Sequence, residues 1–310
     1  MLYNLIFKRE ALFTVGLSAI WLACSLFWEL YCNSSSAGIL MHPVIEIIVL
    51  HLLMGFVAFY FSQVLRSSKL VGNNDFSALF LSVALMSGIG YNLIAFQFIL
   101  AFFVLLVLVS KIKQGFNQTE NIISEFEMGS LSALLTMINP LFVVVLPFTY
   151  VALVNVKVNT WRGYSAVLLG FFFMFLIKGS YFVFTDQLNF SELVQLSFAP
   201  KSFVINGLKQ QVSSALLAGT FIIAMNHFMK VSAQLNIKIR VYYKVWLWLS
   251  LFLLSGFLLL ENTMTATQLL LCVNLPLLVL YQLAIRAFQK KLIRELAILV
   301  LLLVVVLLKL

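Results

Sequence analysis

The stretch FEMGSLSALLTMINPLFVVVLPFTYVALVNV, Phe126–Val156, decides the fold. It is apolar almost without interruption, and as one helix it would run about 46 Å at 1.5 Å per residue. That is far more than the ~30 Å hydrocarbon core of a bilayer needs. Asn139-Pro140 interrupts it near the middle. Proline removes a helical hydrogen bond and turns the preceding residue away from helix. Two readings follow: a tight hairpin of two short helices, or one long kinked helix. The basic residues on either side choose between them. Lys111 and Lys113 come before the stretch, and Lys157 and Arg162 follow it. Only a hairpin returns both basic groups to the same side of a membrane, as the positive-inside rule asks.

Outward from this stretch the chain repeats the pattern. Of 310 residues, 63% are hydrophobic and 10% charged, with a mean hydropathy of +1.06. Soluble domains carry about 25% charge, and no soluble fold of this size can hide so much apolar surface. A soluble enzyme, a disordered chain and a nucleic-acid-binding domain are therefore excluded. Candidate spans cover 11–31, 43–65, 76–91, 93–110, 126–139, 140–156, 163–184, 211–229, 243–261, 267–287 and 295–310. The runs are continuous rather than alternating, so they are helices and not barrel strands. The expectation is an all-α, polytopic transmembrane bundle of about eleven helices, several of them short, forming one integral membrane domain over residues 1–310.

With the N-terminus inside, sixteen of the twenty basic residues fall on the cytoplasmic side: Lys8, Arg9, Arg66, Lys69, Lys111, Lys113, Lys157, Arg162, Lys230, Lys238, Arg240, Lys244, Arg286, Lys290, Lys291 and Arg294. The net charge of +9 is thus a topology signal and not a nucleic-acid signature. The run after Lys8 and Arg9 is too long for a signal peptide and reads as an uncleaved first span. Cys24, Cys32 and Cys272 show no metal or disulfide spacing.

Polar residues within spans carry the functional information, because a charge at the bilayer centre costs on the order of 3 kcal/mol or more. Glu29, His42, Glu46, Lys178, Asp186 and Glu261 gather near the outer ends of their spans. Together they would line an outward-facing polar cavity, with Glu29 or Glu46 as counter-ion to Lys178. The plain alternative places Glu29, Asp186 and Glu261 among headgroups and lets Lys178 snorkel. His51 stands about 140° around the helix from Glu46 and reads as a packing residue. Asn139-Pro140 and Asn274-Leu275-Pro276 are candidate helix breaks of the kind that bind ions or substrates in some transporters. Small residues four apart, Gly129/Ala133, Ala166/Gly170 and Ala215/Gly219, mark expected helix contacts. Nucleotide-binding, zinc-protease and serine-hydrolase motifs do not occur in the sequence. No metal or cofactor is expected, and the residues favour a non-enzyme.

The stretch from Arg66 to Arg162 resembles a known pattern. Arg66 follows span two. Asn73-Asn74-Asp75-Phe76-Ser77-Ala78-Leu79-Phe80 leads into a helical hairpin that closes at Lys111-Ile112-Lys113. An acid-flanked helix from Glu125, a proline, and Trp161-Arg162-Gly163 complete it. This is similar to a family of polytopic inner-membrane proteins of Bacteroidota, grouped as a domain of unknown function. The resemblance implies a location, the bacterial inner membrane, and supplies no catalytic residues. The carotene-oxygenase label sometimes attached to such proteins finds no support here, since that chemistry needs a set of iron-binding histidines and the chain has three His. Three functional readings follow: a carrier or handler of a lipid-linked or amphiphilic envelope precursor, an outward-facing glycan–lipid transferase or polymerase, or a non-catalytic subunit of an envelope complex. The expected partners are the lipid bilayer, a small amphiphilic or lipid-linked substrate, and a membrane protein; nucleic acid is not among them.

Overall fold

A computed structural model of the protein describes residues 6, 11–34, 41–71, 75–87, 93–115, 121–156, 160–184, 208–259, 266–287 and 290–309. Among these residues the chain is all-helical. Eleven α-helices follow in order: α1 Ala11–Ser34, α2 Met41–Ser67, α3 Ser77–Ser87, α4 Leu93–Gly115, α5 Ile122–Ile138, α6 Val145–Val156, α7 Trp161–Phe184, α8 Leu208–Val231, α9 Ile237–Leu259, α10 Ala266–Ala287 and α11 Lys291–Lys309. Short 3-10 turns, Pro140–Val144 and Ser232–Gln234, join α5 to α6 and α8 to α9. Among the described residues four stretches are long and apolar enough to cross a membrane: Phe13–Tyr31, Val44–Ser67, Phe96–Gly115 and Trp161–Tyr181. The chain forms two compact units. Unit 1 holds Met1–Ile99, Val204–Tyr243 and Met264–Leu310; unit 2 holds Leu100–Phe203 and Lys244–Thr263.

Unit 1 is built around α3. All eleven of its residues are buried, and α1, α2, α10 and α11 pack on it. A helix that is apolar on every side belongs in the middle of a bundle, and at about 16 Å α3 is too short to cross a bilayer. Helix α1 shows the reverse of a soluble amphipathic helix. Thr14, Ser18, Ser25 and Glu29 are buried, while Ile20, Phe27, Trp28 and Tyr31 are exposed. Polar groups inside and apolar groups outside is the arrangement suited to lipid, where water cannot satisfy a polar atom. Trp21 Nε1 donates to Ser87 Oγ at 3.0 Å, and its ring meets Phe80 edge-on, which locks α1 to α3.

In unit 2 the decisive stretch doubles back on itself. Ser132 Oγ and Thr149 Oγ1 share a hydrogen bond of 3.1 Å, whereas residues this far apart in one helix would stand about 25 Å from each other. The stretch is a hairpin. Asn139 ends α5, and its side chain accepts from Leu141 N–H at 3.0 Å to start the 3-10 turn. Helices α5 and α7 then run parallel in tight contact. A Cβ added at Gly129 would strike the backbone of Val167, and one at Gly170 would strike the backbone of Phe126. Ser130 Oγ donates to the Gly170 carbonyl at 3.3 Å across the same crossing. These are the first two of the three small-residue pairs. The third behaves differently: nothing lies within 4 Å of a Cβ at Gly219.

Candidate functional site

Among the described residues of unit 1 the most buried ionisable group is His51, 1% exposed, on the face of α2 that also buries Ile47, Leu50, Met54 and Val57. Its Nδ1 lies 2.9 Å from the Ile47 carbonyl. A carbonyl can only accept, so Nδ1 carries the hydrogen and Nε2 is the basic nitrogen of the neutral ring. Two side chains of α1 face that nitrogen. Ser25 Oγ sits at 3.1 Å, placed to donate to it, and Glu29 Oε2 at 3.9 Å. Ser25 and Glu29 are buried, at 5% and 6% exposure. They stand one helical turn apart, so both reach the same imidazole. Antiparallel packing of α1 on α2 makes this possible, with Leu22 against Gly55 one turn further along.

The sequence reading offered Glu29 or Glu46 as counter-ion to Lys178 and treated His51 as packing. The structure places Glu29 beside His51. Glu46 lies on the exposed face of α2, in keeping with its 140° offset from His51. Lys178 is half-buried on α7 in unit 2, whereas Glu29 and Glu46 belong to unit 1. His42 lies in the first turn of α2. Asp186 and Glu261 fall outside the described residues. Of the two candidate breaks, Asn139-Pro140 ends a helix, and the Asn139 amide is used as a cap. At Asn274-Leu275-Pro276, α10 continues through Pro276 without a break.

A signal for this cluster is present in the sequence. Thr14, Ser18, Trp21, Ser25 and Glu29 fall within about 80° of one another around α1. That stripe names the face that turns inward, although it does not name the partner helix.

A second buried acid escaped the sequence reading, which treated Glu125 only as a first-turn residue of its own helix. Glu125 is 3% exposed, and its carboxylate lies where a Cβ of Gly163 would stand, 2.7 Å from that position. Gly163 is in the first turn of α7, which begins after the Thr160 carbonyl accepts from Tyr164 N–H. The acid of one helix therefore rests on the positive N-terminal end of the next, where a carboxylate is stabilised. Beside it Lys111 pairs with Glu127 at 2.6 Å.

Chemically, the Ser25–Glu29–His51 group can hold a proton or hydrogen-bond a hydroxyl or amine. It is poorly built for acyl transfer. Ser25 sits mid-helix, where the backbone N–H groups an oxyanion would need are committed to helical carbonyls. Among the described residues no group of three or more His, Cys, Asp or Glu could hold a metal ion. No protein-family model, curated protein or solved structure matches the chain.

Proposed function

We propose that the chain is a multi-pass protein of the bacterial inner membrane with its N-terminus in the cytoplasm, belonging with the Bacteroidota family that its 66–162 stretch resembles. We further propose that it carries or presents an amphiphilic, lipid-linked envelope precursor, and that the polar head of this ligand meets the Ser25–Glu29–His51 group. The observation that carries the reading is Glu29 beside His51, both buried, in a helix pair whose outer faces are apolar. An ionisable pair inside a membrane bundle costs enough that function is its default explanation. Along α2, His51 is about 10 Å beyond Val44, the start of the apolar stretch; with the N-terminus inside, as proposed, that is the outer half of the span.

The test is E29Q, H51L and the double variant, each expressed in the host at the normal level, with envelope lipids and the lipids that co-purify measured by mass spectrometry. The expected result is loss of a co-purifying lipid-linked species in all three. Unchanged lipids and normal growth in all three would sink the reading. A protein partner at one-to-one stoichiometry, with no lipid, would move the assignment to a non-catalytic subunit.

A further inference from the structure

The opposite end of unit 1 gathers basic residues that the reading above does not use. Asp75, just before α3, pairs there with Arg286 at the end of α10. Tyr243, in the second turn of α9, donates its hydroxyl to the carbonyl of Leu70, in the turn that closes α2, at 3.3 Å. The ring of Phe228, near the end of α8, lies 6.0 Å from that of Tyr243. The Tyr281 hydroxyl of α10 donates to the Ala297 carbonyl and so ties in the start of α11. The ends of α2, α8 and α10 and the starts of α3, α9 and α11 therefore meet at one end of the unit.

Lysines stand exposed at these helix ends: Lys69 in the turn after α2, Lys230 in the last turn of α8, and Lys290 and Lys291 where α11 begins. Among the described residues there, the acids are Asp75 and Glu295, and neither is exposed. Large apolar side chains stand exposed in the same turns. Met229 precedes Lys230, Leu292 follows Lys291, and Ile237 opens α9. Ile237 and Leu292 are 65% and 69% exposed. The positive-inside rule accounts for the lysines, but not for apolar chains of this size, which water disfavours. At headgroup depth both kinds of residue find a place. The apolar chain enters the acyl boundary, and the lysine stem lies along it while the ammonium reaches the phosphates. Several ammonium groups with no exposed acid beside them favour lipids of net negative charge. An acidic protein would answer the charges alone and leave the apolar chains to water.

We propose that this end of unit 1 is an anionic-lipid contact surface, with Lys69, Lys230, Lys290 and Lys291 on the headgroup phosphates and Ile237 and Leu292 in the acyl boundary. The surface rests on the membrane reading, because it needs that end of the unit at headgroup depth, and it is separate from the Ser25–Glu29–His51 group.

To test it, the full-length chain is transferred from detergent into nanodiscs of equal parts phosphatidylglycerol and phosphatidylcholine. Retained lipid is then counted by native mass spectrometry. The wild-type chain is expected to keep phosphatidylglycerol in preference. K230Q alone should lower that preference by up to about fivefold, the scale of one lysine at an anionic surface. The fourfold variant K69Q/K230Q/K290Q/K291Q should retain the two lipids equally. The matching fourfold change to arginine keeps the charge and should keep the preference. A phosphatidylglycerol carrying a diazirine in its headgroup should crosslink, on irradiation of the wild-type nanodisc, to the peptides that hold Lys230 and Leu292. Equal retention by the wild-type chain would overturn the surface, as would full preference in the fourfold glutamine variant or its loss in the arginine one. Crosslinks confined to other peptides would overturn its placement. A stoichiometric acidic protein that co-purifies through these lysines, with no lipid preference, would reassign the surface to a protein partner. A chain that alkaline carbonate strips from native membranes would defeat the membrane reading and the surface with it, and is scored separately from lipid preference.

Discussion

Single residues carry two kinds of cost in this chain, and both can be measured. Lys69 has φ of 56°, the one positive value at a non-glycine among the described residues. Its turn satisfies the last carbonyls of α2 and packs Leu70 against the helix end, a geometry in which glycine is the usual residue. A side chain there costs about 1 kcal/mol, and a basic residue at a helix C-terminus recovers a few tenths. K69G should therefore raise thermal stability in detergent by about 0.5–1 kcal/mol. Lower stability would show that the lysine side chain does more than tolerate the turn. The second cost is that of Glu29 and His51. Groups 3.9 Å apart share an environment, so their substitutions should not add. In a double-mutant cycle of E29Q and H51L, read by chemical or thermal unfolding, the coupling should be about 0.5–3 kcal/mol. Additive effects would show that the two side chains do not act on each other. The pairing itself was not legible in the sequence. Helix α2 is apolar on most of its circumference, so nothing in its pattern says which way His51 turns. In α1 the small hydroxyls Thr14, Ser18 and Ser25 mark the inward face, and Glu29 shares it.

Between helices, a residue's effect depends on what it meets, which spacing alone does not reveal. Gly129/Ala133, Ala166/Gly170 and Ala215/Gly219 look alike in sequence. In the structure Gly129 and Gly170 let α5 and α7 approach until backbone meets backbone, while Gly219 faces open space. The same change, glycine to alanine, should then have opposite signs. G129A and G170A each force the helices apart and should destabilise by about 1–3 kcal/mol or more. G219A adds helix propensity without a clash and should stabilise by up to about 1 kcal/mol. A common sign for all three in unfolding assays would mean that the α5–α7 crossing is not as close as described. Gly163 follows the same logic, with the carboxylate of Glu125 in the place of a backbone. The existence of these elements was legible because long apolar runs and a proline are local signals. Their mutual rotation was not, because a helix apolar all round presents no preferred face.

At the level of the molecule, the polarity of each unit can be followed helix by helix. In unit 2, Gly115 at the end of α4 meets Val156 at the end of α6, and Lys111 meets Glu127 at the start of α5. Glu125 meets Gly163 at the start of α7. Phe252 meets Phe148 edge-on and Gly256 lies against Val144, so α9 runs antiparallel to α6. The helix ends next to Lys111, Lys113 and Arg162 therefore lie at one end of this unit, and the Asn139-Pro140 turn lies at the other. In unit 1 the same holds: Arg66, Asp75 and Arg286 join the end of α2, the start of α3 and the end of α10. A kinked single helix through Asn139-Pro140 would have put Lys157 and Arg162 opposite Lys111 and Lys113. The hairpin brings the start of α7, with Arg162, to the end of the unit that carries Lys111 and Lys113, and the positive-inside rule favours that arrangement. This converts an arithmetic of loops into a prediction about sides. A reporter fused after Lys157 should read cytoplasmic, and one inserted between Asn139 and Pro140 should read periplasmic. A periplasmic signal after Lys157 would refute the N-in topology while leaving the hairpin intact, since the hairpin rests on Ser132 against Thr149 and not on charge. Cytoplasmic signals at both positions would mean that the hairpin enters the membrane and returns without crossing. Its length allows this: from Met128 to Ile138 the apolar part of α5 rises only about 16 Å, half of a hydrocarbon core.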